Sequence, residues 1–77
     1  MPVRFTEFMT VGESEVSLYV IQGTSSSDCI VCIYQDGKSE RVLLKKENQI
    51  WKISPQVLPM WVAELAPNLT SRIGQVL

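Results

Sequence analysis

The sequence predicts an α+β fold, a four- to five-stranded antiparallel β-meander with one or two short C-terminal helices packed on one face. Three observations predict it. Residues 15–22 alternate apolar and polar side chains with a period of two, and residues 29–35 form a short run apolar on both faces, both marks of strands. Asp36-Gly37 ends that run with a dipeptide suited to the left-handed dihedrals of a tight hairpin turn. From Ser54 onward the period changes and prolines appear at Pro55, Pro59 and Pro67, the punctuation of helix starts and stops.

In chain order, residues 3–10 form the first strand candidate, closed by a short turn at Gly12. Residues 15–22 alternate clearly, with Val16, Leu18 and Val20 on one side and Glu15, Ser17 and Tyr19 on the other. The Gly- and Ser-rich stretch at 23–28 reads as a surface loop, and no linker or repeat divides the chain further. Residues 29–35 are apolar on both faces, as befits a central strand. A two-residue turn at Asp36-Gly37 then fixes register, setting Gln35 opposite Lys38, Ile33 opposite Glu40, Val31 opposite Val42 and Cys29 opposite Leu44. A second two-residue turn at Glu47-Asn48 separates strands 38–46 and 49–53, pairing Leu44 with Trp51 and Val42 with Ile53. The two turns agree on a single apolar face made of Cys29, Val31, Ile33, Val42, Leu44, Trp51 and Ile53.

That face requires a cover. Pro59 opens a helix over residues 59–66, whose Leu58, Trp61, Val62 and Leu65 share a side. Pro67 stops it, and Asn68 caps a second helix over 69–76 that aligns Leu69, Ile73, Val76 and Leu77. Asn68-Leu69-Thr70 also matches a glycosylation acceptor, but the capping role explains it without a secretory context. Trp51 and Trp61 both fall on core-facing positions and read as anchors of the packing.

Length and composition narrow the function classes. A chain of 77 residues makes one domain, spanning 1–77, with a limited core. The N-terminal run from Met1 to Glu7 lacks the basic start and apolar stretch of a secretory signal, and no segment approaches the roughly 20 apolar residues of a membrane span. The expected compartment is the cytoplasm, without membrane association. Cys29 and Cys32 have Cys-x-x-Cys spacing, yet they lie in a strand, where residues three apart point to opposite faces and cannot converge on one metal or disulfide. With no histidine and no further cysteine, zinc lacks its four ligands, so no metal or other cofactor is expected.

Catalytic residues are likewise expected to be none. Glu13, Glu15, Glu40 and Glu47 belong to strand ends and hairpins, Glu64 to a solvated helix face, and the serines at 25–27 have no base beside them. Pro2 would present a secondary amine after loss of Met1, as tautomerases use, but those enzymes follow their first strand with a long helix where this chain alternates as a strand. There is no phosphate loop or nucleophile elbow.

The informative feature is the outer side of the sheet. The register places Ile30, Cys32, Tyr34, Arg41, Leu43, Lys45, Ile50 and Lys52 there together. Charge is also uneven: residues 1–37 carry one basic and five acidic side chains, a balance of −4, while residues 38–77 carry six basic and three acidic, a balance of +3. Of that face, Ile30, Tyr34, Arg41, Leu43, Lys45, Ile50 and Lys52 form a candidate interaction surface for a protein partner or a second copy, apolar in the middle with a charged rim. Single-stranded nucleic acid is the alternative, with aromatics stacking bases and cations following phosphates; the net charge of −1 and pI near 5.2 weigh against it. A small enzyme without a recognisable motif is the second alternative. In the plainest view, the lysine and arginine stems simply cover apolar sheet surface and bind nothing. The expectation is a small non-catalytic interaction or regulatory protein.

Overall fold

In the computed structural model, which describes residues 3–23 and 25–77, alternation becomes a five-stranded antiparallel sheet with strands in sequence order. The strands are β1 (Val3–Val11), β2 (Ser14–Gln22), β3 (Asp28–Gln35), β4 (Lys38–Glu47) and β5 (Ile50–Ile53). One helix, α1 (Met60–Val76), follows and packs against the sheet, giving the expected α+β class.

Each hairpin has its own turn chemistry. Val11 pairs with Ser14 across Gly12-Glu13, and Gly12 alone takes positive φ (62°), the pattern of a type II′ turn. Gln35 pairs with Lys38 across Asp36-Gly37, with φ of 49° and 77°, as a type I′ turn requires. All four pairings expected between β3 and β4 are present.

The third hairpin differs from expectation. Its turn is Asn48-Gln49, both at positive φ (51° and 68°), and it sets Glu47 opposite Ile50, Lys46 opposite Trp51 and Leu44 opposite Ile53. The register is therefore two residues away from the one that a Glu47-Asn48 turn would give. Asparagine is the residue that tolerates the left-handed first position of a type I′ turn, and here it occupies that position. Because side chains alternate with period two, a shift of two leaves every side chain on its expected face. Trp51 remains buried and is covered by Lys46, whose Nζ lies 5.9 Å from the ring centroid.

The C-terminal region also differs. A single helix runs through Pro67, where two helices separated by that proline are expected from sequence. Proline at this position removes a hydrogen bond to the carbonyl of Ala63, but Ala63 and Pro67 are both exposed, so water can satisfy the orphaned group. Just beyond it, the Thr70 hydroxyl donates to the carbonyls of Ala66 (3.1 Å) and Pro67 (3.3 Å). Asn68 is consequently a mid-helix surface residue and caps nothing. At the true start, the carbonyl of Pro59 accepts from the amides of Val62 and Ala63, both at 3.0 Å.

The core lies between the helix and one face of the sheet. Val16, Leu18, Val20, Val31, Ile33 and Val42 meet Val62, Leu65, Leu69 and Ile73, and no polar side chain is buried among the described residues. The N-terminal part of α1 is tied to the sheet by Lys38, whose Nζ lies 5.2 Å from the Trp61 ring, and the C-terminal part by Arg72, which donates to Glu7 at 2.6 Å. Among the described residues no helix is long and apolar enough to cross a membrane.

Candidate interaction face

The helix covers one face of the sheet and leaves the other open. On the open face, the registers of the three central strand pairs align side chains into rows across the sheet. Phe8, Ser17, Tyr34 and Ser39 form one row; Thr6, Tyr19, Cys32 and Arg41 the next; Arg4, Ile21, Ile30 and Leu43 the third. A fourth row holds Asp28, Lys45 and Lys52. The apolar members of the first three rows are contiguous. Phe8, Tyr34 and Leu43 are about half exposed, whereas Tyr19, Ile21, Ile30 and Cys32 are partly buried.

The candidate residues from sequence are thus distributed as follows. Ile30, Tyr34, Arg41 and Leu43 lie in the three central rows, and Lys45 and Lys52 face each other directly in the fourth. Ile50 lies on the same side but not beside them. The two-residue shift in the last hairpin carries it to the tip, opposite Glu47 and outside the apolar band. Sequence reasoning missed Phe8, Tyr19 and Ile21, which complete the band from β1 and β2. The signal was present in the alternation of both strands, but their pairing to β3 was unspecified by any two-residue turn, since the loop after Gln22 is longer.

Acidic groups gather at one end of this face, where the Gly12-Glu13 and Asp36-Gly37 turns put Glu13, Glu15 and Asp36. Lys45 and Lys52 occupy the other end, balanced by Asp28 opposite Lys45 and by Glu47 opposite Ile50. Two like charges directly opposite across a strand pair repel, so this lysine pair favours any anionic group placed over it. Next to it is a hollow of about 460 Å³ whose lining includes Ile21, Ile30 and Leu43, rimmed by Ser25, Asp28 and Lys45.

The backbone under this hollow is held firmly. The side-chain amide of Gln56 acts as one more strand residue: its Oε1 accepts from the Leu43 amide at 3.2 Å, and its Nε2 donates to the Leu43 carbonyl at 2.9 Å and to the Ser54 carbonyl at 2.7 Å. Leu43 therefore stands on fixed backbone although its own side chain is free.

The two thiols are on opposite faces, as strand geometry demands. Cys29 is buried in the core, and burial, with a smaller contribution from the charge of Asp28, pushes its thiol up from 9.0 to about 11. Cys32 is half-buried on the open face. Among the described residues no three acidic, cysteine or histidine side chains come together where they could hold a metal ion. Glu13, Glu15 and Glu47 are exposed at hairpin corners, Glu40 is half-buried near the start of β4, and Glu64 is exposed on the helix, so the carboxylates are dispersed. Pro2 lies outside the described residues. No protein-family model, no curated protein and no solved structure matches this chain.

Proposed function

We propose that the protein is a non-catalytic interaction module that works by laying the open face of its sheet against another folded protein surface. The observation that carries this reading is the contiguous apolar band of Phe8, Tyr19, Ile21, Ile30, Tyr34 and Leu43, left uncovered by the only helix among the described residues. Aromatic side chains concentrated in the middle with charges outside are the anatomy of a protein–protein interface. The molecule measures 33 × 23 × 19 Å, and its broad face is of the same order as the roughly 800 Å² per partner of a standard interface. Nucleic acid is a poorer fit, because Asp28 and Glu47 stand beside Lys45 and Lys52 where a phosphate backbone would have to run.

The test uses Tyr34→Ser and Leu43→Lys. Both side chains are about half exposed, so each variant is expected to keep its melting temperature within about 8 °C of the parent, the shift caused by roughly 1 kcal/mol or less. Each is also expected to weaken association through this face at least tenfold, measured by sedimentation or by surface-immobilised binding. Unchanged association in both variants refutes the reading. So does a loss of melting temperature above about 12 °C, because the face would then be core.

A further inference from the structure

We infer that the free edge of β1 pairs with β1 of a second copy, antiparallel about a two-fold axis at Phe8, joining two five-stranded sheets into one. The contact uses the edge of the sheet, so it is independent of what the open face binds. The phase of the first hairpin decides which backbone groups are already spent. Val11 and Ser14 flank a two-residue turn and exchange both hydrogen bonds, as do Met9 with Val16, Glu7 with Leu18 and Phe5 with Val20. Arg4, Thr6, Phe8 and Thr10 therefore aim their N–H and C=O groups off the sheet. All four residues are exposed, and no other backbone group among the described residues bonds to them. The opposite edge is blunted: β5 has four residues, and beyond it the Gln56 side chain takes up the amide and carbonyl of Leu43. β1 has no such device, running nine residues in unbroken register without proline, lysine or bulge.

The layer beside this edge is also unfinished. The inward side chains of β2 and β3 are buried, whereas Phe5, Glu7, Met9 and Val11 of β1 are only half-buried, so α1 stops short of the last strand. A groove of about 680 Å³ remains there, lined by Met9 and Val11 from β1 and by Pro67, Asn68, Ser71 and Gln75 from α1. A strand added at about 4.8 Å from β1 has room for its inward side chains in that space. Only an extended backbone satisfies donors and acceptors set at alternate residues, and an antiparallel edge is its own complement under a two-fold axis.

Side chains choose the register. Three two-fold registers make at least three hydrogen-bonded pairs from these outward groups. Centring on Glu7 sets Glu7 directly opposite its own copy, a repulsive pair. Centring on Thr6 sets Arg4 opposite Phe8 and Glu7 opposite Phe5, charge against aromatic on both faces. Centring on Phe8 sets Phe8 opposite Phe8, Thr6 opposite Thr10, Phe5 opposite Val11 and Glu7 opposite Met9. Only Glu7 is then a charge facing an apolar residue, and Arg72 already neutralises it at 2.6 Å. The same register brings Arg4 beside the Gly12-Glu13 turn of the partner copy, twice by symmetry, whereas parallel pairing would put Arg4 beside Arg4. Both helices fall on one side of the joined sheet, and the apolar bands of the two open faces meet at Phe8.

We expect a solution mass of twice 8.7 kDa by light scattering. Hydrogen exchange reads the edge directly. In dilute solution the amides of Thr6, Phe8 and Thr10 should exchange freely while those of Glu7 and Met9 are protected; in the dimer the first three should slow at least tenfold. Thr6→Pro removes an outward donor and no bond to β2, so it is expected to fold, by circular dichroism, yet weaken the dimer at least tenfold. Phe8→Lys and Phe8→Glu, at a side chain 55% exposed, should each weaken self-association, and an equimolar mixture of the two should restore it to within about threefold of the parent. A monomer at millimolar concentration overturns the inference. So does a dimer whose Thr6, Phe8 and Thr10 amides stay unprotected, or one that the Phe8 mixture fails to restore. Tyr34→Ser and Leu43→Lys lie in β3 and β4, away from the edge, and should leave this dimer intact. A dimer lost in those variants but kept in Thr6→Pro forms through the open face and overturns the edge pairing while leaving the open-face reading in place.

Discussion

Among the described residues, three other than glycine hold positive φ, and all three sit at hairpin corners: Asp36 at 49°, Asn48 at 51° and Gln49 at 68°. Asp and Asn visit this region at low cost because their short polar side chains bond locally; glutamine has no such compensation. Gln49 therefore carries strain that its neighbour does not, at the position of a type I′ turn where glycine is preferred. Replacing it should relieve about 1–2 kcal/mol of backbone strain, less the roughly 0.5–1 kcal/mol that glycine loses through its freer unfolded chain. Gln49→Gly is thus expected to stabilise the fold by up to about 1 kcal/mol, raising the melting temperature by several degrees in a thermal scan. An unchanged or lower melting temperature would show that the Gln49 side chain contributes contacts worth more than its strain. The same residue explains why the third hairpin was misread from sequence. An Asn-Gly pair would have announced the turn, and Asn-Gln does not.

At the level of elements, what was legible depended on whether one rule acted alone. Strands β3 and β4 and their register followed from Asp36-Gly37 together with an alternation that admits one pairing. The helix did not follow, because two rules conflicted at Pro67. The local rule, that proline ends a helix, pointed to a break. The periodic rule pointed the other way: Val62, Leu65, Leu69, Ile73 and Val76 are spaced by three or four throughout, so the apolar stripe passes the proline without a change of phase. Burial of Leu69 and Ile73, both fully enclosed, outweighs a local cost that falls on the solvent side. This makes Pro67 a net liability to the helix. Pro67→Ala restores the donor to the Ala63 carbonyl and removes the ring clash, so a gain of about 1–3 kcal/mol is expected in urea unfolding, diminished somewhat by the freer unfolded chain. A loss of stability would instead mean that the proline directs the helix across the sheet. β1 presents the other element-level question, because it is a nine-residue edge strand. Arg4 and Glu7 interrupt its apolar positions, and Arg72 from the helix pairs with Glu7, so one flank is charged and partly occupied.

For the molecule as a whole, the decisive property is that a two-layer design has one inside and two outsides. The helix can cover only one sheet face, and among the described residues no third layer lies over the other. The inner face is finished: Val42 and Leu44 are essentially inaccessible, whereas Leu43 between them is 48% exposed. A leucine in the core and one on the open face should therefore answer opposite questions. Leu69→Ala, in the fully buried helix stripe, opens a cavity that the sheet cannot collapse into and is expected to cost about 3–5 kcal/mol. Stabilities of roughly 0.05–0.15 kcal/mol per residue imply a total of about 4–12 kcal/mol here, so that single change approaches the limit of what the fold tolerates. Leu43→Ala removes a side chain already half in water, and in the separated chain its cost should stay near 1 kcal/mol or below. Measured at low protein concentration, where no second molecule covers the open face, urea unfolding should separate the two variants by at least about 2 kcal/mol. If instead they lose similar amounts, Leu43 is held by contacts within its own chain, and the open face is part of the folding core with no capacity left over for binding.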